Sequence, residues 1–202
     1  QHMELFDAIY QRRAIKAFDP EHIISADDEK KLFEAAIQAP TSFNIQHWRF
    51  VVVRDKNLRA EVRKLGNDQA QITDSSLLVI MTADMKAWQK NPARYWTEAP
   101  KEVAELLVGW MGPFHDGREW LQRDEAQRSI GMAMQTLMLA AKGIGLDSCP
   151  MIGFDIEAVA KLINLPDDHV MGPMVAIGKG TKAPWPKPGQ LSLNEVLVDN
   201  KF

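Results

Sequence analysis

Between Ser129 and Leu146 the chain reads SIGMAMQTLMLAAKGIGL, eighteen residues with one charge, Lys142. Such a run has three possible fates. It can span a membrane at the lower limit of length, it can be a helix buried on nearly every side, or it can be shared with a second copy of the chain. Gln135 and Lys142 lie within it, and Arg123, Asp124, Glu125 and Arg128 precede it, which argues against a membrane. The expectation is a long helix capped by Asp124 and ended at Gly143 or Gly145. It carries more apolar surface than a 202-residue monomer hides easily.

The rest of the composition narrows the function classes. A chain of 202 residues with a formal charge of −3 reads as one domain over 3–202 and not as a generic nucleic-acid binder, which is usually basic. Its single cysteine excludes a disulfide framework and a Cys-based zinc site, and fits a reducing, cytoplasmic setting. Its five histidines (2, 22, 47, 115, 169) are scattered without helical metal-ligand spacing, so no metal is expected. The first residues show neither a basic n-region nor an apolar h-region, so no secretory leader is expected. Gln1-His2 ahead of Met3 reads as an expression scar.

Periodicity places the elements. A helix is predicted from about Met3 to Arg12. A second opens at Ser25 with Leu32, Phe33, Ala36, Ile37 and Ala39 at helical spacing and stops at Pro40. Strands are predicted at Arg49–Arg54, Leu77–Ala83 (apolar throughout, so covered on both faces) and Val170–Gly178. Further helices carry Leu58, Val62 and Leu65, closed by Gly66-Asn67, and run from Asp155 through Asn164. Residues 84–123 are rich in Trp and broken at Pro92, Pro100, Gly112-Pro113 and Gly117, which suggests a lid or insertion. Residues 180–202 read as an extended arm that ends in a strand. Three or four strands and five to seven helices in mixed order make an α+β domain.

Several chemical motifs fail. Gly178-Lys179-Gly180-Thr181-Lys182-Ala183 has the form of a dinucleotide fingerprint, but Pro184, Pro186 and Pro188 prevent the helix that must follow. No phosphate-loop motif and no nucleophile elbow is present. Cys149 sits in an apolar setting and reads as a structural thiol. Three elements remain. Arg12, Arg13 and Lys16 place three cations in five residues, a pattern suited to a phosphate. Ala39–Trp48 is a polar loop of hydroxyls and amides beside aromatics. Pro150–Phe154 is an apolar loop in which Gly153 permits close backbone approach.

Together the segments RRAIKAFD, APTSFNIQHW leading into RFVVV, and GIGLDSCPMIGFD resemble the nitroreductase family of FMN-dependent flavoproteins. Its usual openings are R-R-[ST]-x-[RK]-x-[FY] and A-P-S-x-x-N-x-Q-P-W. The resemblance runs from about Leu5 to Val196. It implies a central mixed sheet surrounded by helices, and an intertwined homodimer with exchanged C-terminal arms and FMN at the subunit interface. Arg12, Arg13, Ala14 and Lys16 would meet the FMN phosphate, ribityl chain and pyrimidine edge. Pro40, Thr41, Ser42 and Asn44 would reach it from the partner subunit. Gln69 or Gln71 would offer an amide to the ring. The Gly153 N–H would face flavin N5, with Pro150, Met151 and Ile152 beside it, and Lys187 of the tail, rather than Lys182, would return to the phosphate.

The implied activity is ping-pong transfer of hydride from NAD(P)H to nitroaromatic or quinone-type acceptors. No catalytic side chain is certain beyond assistance from Lys16 and the Gly153 backbone. Phe43, Trp110, Phe114 and Trp120 are candidate walls for a small planar acceptor. Four positions depart from the family pattern: Ala14 for Ser or Thr, His47 for Pro, Ile152 for Glu and Lys187 for Arg. Alternatives are another flavin redox reaction (dehalogenation, enone reduction or dehydrogenation), a non-catalytic flavin-binding protein, or a helical interaction protein without a cofactor.

Overall fold

A computed structural model describes residues 2–202. Gln1 lies outside the described residues. In chain order the elements are α1 (Leu5–Gln11), α2 (Ala26–Ala36), β1 (Trp48–Val52), α3 (Lys56–Leu65), the single turn α4 (Gln71–Asp74), β2 (Leu77–Asp84), α5 (Lys101–His115), α6 (Glu119–Gly143), β3 (Asp147–Met151), α7 (Ile156–Leu162), β4 (His169–Gly178) and the short α8 (Leu193–Val196).

The four strands form one sheet in the order β1-β2-β4-β3. Every pair is antiparallel, so the expected mixed sheet is corrected. Among the described residues, the one parallel pairing is the isolated bridge between Ala14 and Ser148. Side chains alternate across a strand, and β2 shows why its apolar run needs two covers. Leu77, Val79, Met81 and Ala83 join a core with Leu32 and Ala36 of α2 and Ile130, Ala133 and Leu137 of α6. Leu78 and Ile80 join the opposite core with Val62 of α3 and Val159 of α7. A third, smaller cluster of Ile45, Ala87, Trp88 and Met111 sits under residues 84–123.

The apolar run belongs to α6, which begins at Glu119, five residues before the expected cap at Asp124. It ends in a Schellman motif. Gly145 is left-handed at φ 83°, its N–H meets the Lys142 carbonyl at 3.0 Å, and the Leu146 N–H meets the Ala141 carbonyl at 2.9 Å. One broad face of α6 is buried within this chain, from Leu121 to Ala141, while Gly131, Met132 and Gln135 on the other side stay exposed. No helix among the described residues is long and apolar enough to cross a membrane.

Further local features have tertiary causes. The stretch read as an apolar loop at Pro150 begins within β3, and β3 is an edge strand, where the missing N–H disturbs no second neighbour. Gly112-Pro113 does not break α5. Met111 and His115, both fully buried, anchor its last turn through tertiary packing. In the first helix, Leu5, Phe6 and Ile9 face outward and only Ala8 is buried. The tail is extended from Lys182 to Leu191, but it ends in the turn of α8 and not in a strand, since it has no neighbour to pair with in this chain.

A Cβ on Gly172 would lie 2.9 Å from Cγ2 of Ile130 and 3.0 Å from the Met81 carbonyl. Gly172→Ala is expected to cost about 1–3 kcal/mol by overpacking α6 against the sheet. Gly145→Ala meets no atom within 4 Å and is expected to cost about 1–2 kcal/mol through its left-handed backbone alone. Urea unfolding of the two variants checks both values.

Candidate functional site

After α1 the chain runs extended along the edge strand β3. The Ile15 N–H donates to the Ser148 carbonyl at 3.0 Å, the Asp19 N–H to Lys179 at 2.8 Å, and the Thr181 N–H to Ala17 at 2.9 Å. Ile15 and Phe18 turn into the core, so Ala14 and Lys16 are left on the surface. Arg13 donates from Nη2 to the Trp185 carbonyl at 2.7 Å, and Lys16 Nζ lies 5.0 Å from the Trp185 ring centroid. Ala14, Lys16, Ala17 and Lys182–Trp185 enclose a cavity of about 220 Å³. Lys182 is therefore the tail cation beside Lys16, whereas Lys187 is not among the lining residues. Among the described residues, Arg12, Arg13 and Lys16 have no carboxylate partner. Three unneutralised cations on a pinned strip suit an anionic ligand.

The end of β3 adjoins this strip. Burial pushes the Cys149 thiol upward against the opposing effects of its Gln71 contact and of Lys16. Gln71 Nε2 points to Cys149 Sγ at 3.6 Å and to Gln69 Oε1 at 3.3 Å. Gln69 Nε2 donates to the carbonyls of Gly66 (2.9 Å) and Gly153 (3.1 Å), so both its amide hydrogens are engaged. Asn67 Nδ2 donates to the same Gly153 carbonyl at 2.8 Å, a contact that sequence reasoning missed. Its only prior signal was Gly66-Asn67 as a helix terminator. Met151 turns into the core with Cys149 and Phe154 and does not face outward, while Pro150 is half-buried and Ile152 is 60% exposed.

The third element lies apart. Phe43, Asn44 and Gln46 all have positive φ near 53–54°, the kind of strain that persists where surrounding contacts enforce it. Thr41 Oγ1 accepts from the Gln46 N–H at 3.0 Å, and the Ser42 carbonyl accepts from the Ile45 N–H at 3.0 Å. Asn44 Nδ2 donates to the Tyr95 carbonyl at 2.7 Å, and Trp96 Nε1 donates to Phe43 at 2.9 Å. Pro40 is exposed. Among the described residues no hydrogen bond or shared cavity joins this loop to Arg12–Lys16 or to Gly153. A single chain therefore brings together two of the three expected elements.

Of the candidate walls, Phe43 and Phe114 are 5.3 Å apart between ring centroids, and the Arg118 guanidinium lies 5.1 Å from both the Phe114 and Trp120 rings. Trp110, 54% exposed, precedes Phe114 by one helical turn and shares its face. Beneath them lies a buried polar core. His47 Nδ1 meets Ser129 Oγ at 2.9 Å. His115 Nδ1 lies 2.8 Å from the Met111 carbonyl, so that nitrogen carries the proton, and its ring stacks on Trp88 at 5.4 Å. The scattered histidines gave no sequence signal for this packing. Elsewhere Asp84, Asp168 and His169 converge as metal ligands would, but the Lys90 ammonium holds the two carboxylates at 2.9 and 2.6 Å and supplies the cation.

The sequence profile described as the nitroreductase family matches residues 9–179. Protein DrgA of Synechocystis sp. is 60% identical over 98% of this chain and 97% of its own. MhqN of Bacillus subtilis, provisionally named an NAD(P)H nitroreductase, is 32% identical over 96% of this chain and 98% of its own. A provisionally named nitroreductase from Exiguobacterium sibiricum, solved in complex with FMN, superposes with a TM-score of 0.89 at 26% identity, over 97% of each chain.

Burial, and then the field of His115, holds the His47 imidazole down at about 4, against 6.5 for the free side chain. Burial pushes His115 down as well. Between these two values the unfolded chain takes up a proton at position 47 that the folded chain excludes. Stability is therefore expected to be level above pH 6.5. It falls as the pH drops toward 4, with a loss of roughly 3 kcal/mol from this residue. His47→Gln should flatten the slope in chemical unfolding measured across that range.

Proposed function

The chain belongs to the nitroreductase family, and we propose that it is an FMN-dependent oxidoreductase that uses NAD(P)H to reduce nitroaromatic or quinone-type acceptors. The observation that carries this reading is the strip of unpaired Arg12, Arg13 and Lys16 pinned at Ala14 and Ile15 to Ser148 of β3, the strand that leads into the Gly153 corner tied back to Asn67 and Gln69. The donor set fits FMN. Arginine forks and a lysine match a phosphate and an electron-rich ring edge. The Gly153 N–H donates to nothing among the described residues and stands exposed. FMN, when bound, supplies the two-electron carrier chemistry that no side chain here offers.

The residues then divide the work. Arg12, Arg13 and Lys16 bind and orient the cofactor, and the positive field of Lys16 favours negative charge at the ring edge beside it. Gln71, 4% exposed, keeps an amide oxygen without a hydrogen-bond partner among the described residues and is the better of the two glutamines for a ring contact. Phe43, Trp110, Phe114 and Trp120 offer flat apolar walls to a planar acceptor. The 84–123 excursion serves as the lid that carries three of them. A single buried cysteine suits a reducing cytoplasm.

The reading includes a homodimer. Thr41, Ser42 and Asn44 lie away from the cation strip of their own chain and act in the site of the partner. Several surfaces support this: the outward Leu5, Phe6 and Ile9 of α1, the exposed Leu191, Leu193, Leu197 and Val198 of the tail, and the unpaired outer edge of β1. Lys187 of the exchanged arm supplies the distant cation.

Purified protein given FMN should turn yellow and oxidise NADH or NADPH in the presence of menadione or a nitroarene. Flavin retention without turnover would favour a binding protein, and failure to take up FMN would overturn the reading. Arg13→Ala is expected to weaken FMN binding by roughly 1.5–3 kcal/mol in a fluorescence titration, the scale of a charge-assisted hydrogen bond. Deleting residues 188–202 should convert a dimer into monomers on gel filtration and lower FMN affinity in the same sample.

A further inference from the structure

Gly153 is exposed and follows exposed Ile152, so its peptide groups have little packing to hold them. Glycine adds the widest backbone freedom of any residue. Yet the segment is tied on both sides of the Gly153 N–H. The Phe154 N–H closes a tight turn onto the Ile152 carbonyl at 2.9 Å. The Gly153 carbonyl accepts two side-chain amides, from Asn67 at 2.8 Å and Gln69 at 3.1 Å. A carbonyl has two lone pairs, and both are engaged here. Gln69 is itself anchored by the Gly66 carbonyl at 2.9 Å, and Asn67 sits in the left-handed region at φ 56°, which asparagine tolerates. A Cβ on Gly153 would meet Asn67 Nδ2 at 3.7 Å and Gln69 Nε2 at 3.9 Å, ordinary contact, so the clamp does not depend on crowding.

We infer that Asn67 and Gln69 are positioning residues: their two amides pin the Gly153 carbonyl and thereby fix the direction of the Gly153 N–H that the site offers to FMN. The inference rests on the flavin reading above. It assigns Gln69 a task different from direct ring contact and adds Asn67, which no ring contact requires. With the carbonyl released, the exposed dipeptide samples other orientations and the N–H is no longer preset.

The test uses the full chain, uniformly labelled with ¹⁵N, titrated with FMN. The Gly153 amide resonance of the unsubstituted protein should shift on FMN addition and become protected from hydrogen exchange. In Asn67→Asp, Gln69→Glu and the double variant, a donor is replaced by an oxygen facing the carbonyl. The shift and protection at Gly153 on FMN addition should be lost in these variants at FMN concentrations that saturate them. The rate of flavin reduction by NADH in a single turnover should fall about tenfold or more, a positional loss. Asn67→Gly keeps the backbone conformation accessible and gives a second variant if the charged ones fold poorly. It should lose the shift in part. An undiminished Gly153 shift in Asn67→Gly and in a folded Gln69→Glu would overturn the positioning role and leave the flavin reading intact. Absence of FMN uptake by the unsubstituted protein would instead overturn the flavin reading, and this inference with it.

Discussion

The site depends on one seam. Residues 14–19 are hydrogen-bonded first to Ser148 of the edge strand and then to Lys179–Thr181, the segment that leaves β4. Ile15 and Phe18 of this strip turn into the same core and Lys16 stays outside. The cations are thus held by backbone pairing, without the carboxylates that would neutralise them. A surface cation cluster of this kind is usually solvated and mobile. Here it is set against a rigid sheet, which is what a bound anion needs. The same seam fixes where the tail departs, so the cation strip and the tail direction share one support.

The sheet explains why that seam is stable. β2 and β4 are central and covered on both faces, and they carry the apolar runs. β1 and β3 are edges. β3 has the strip laid against it and tolerates Pro150, while β1 keeps a bare side. The Gly153 corner hangs from the end of β3 and is tied back to the Gly66–Gln71 turn. That turn in turn carries the ring-facing candidate Gln71.

Much of this was legible in the sequence where periodicity was strong. β2, β4, α2, α3 and α7 were read nearly in place because their apolar spacing and caps agree with their burial. The cation strip was legible because three positive charges in five residues stand out in an acidic chain. What escaped depended on tertiary context. Pro150 hid β3, since only its place at an edge makes it tolerable, and Pro113 wrongly suggested a break because buried Met111 and His115 hold α5 together. The long apolar run was legible as a helix, but not that α2 and the sheet of the same chain cover one broad face of it. His115 and Asn67 gave no local signal. One finds its role by stacking on Trp88, and the other by reaching a carbonyl 86 positions away.

The bridge between Phe18 and Gly180 closes almost the whole length of the chain. During synthesis the cations at 12, 13 and 16 emerge about 160 residues ahead of the 179–181 segment that supports the strip. A ribosome must add that length of chain before the strip has all of its partners. Chains truncated by a nonsense codon or a stalled ribosome before that point carry the basic motif without its architecture. Such fragments should leave the anion site unformed, and quality control would meet them as unfolded polypeptide rather than as damaged enzyme.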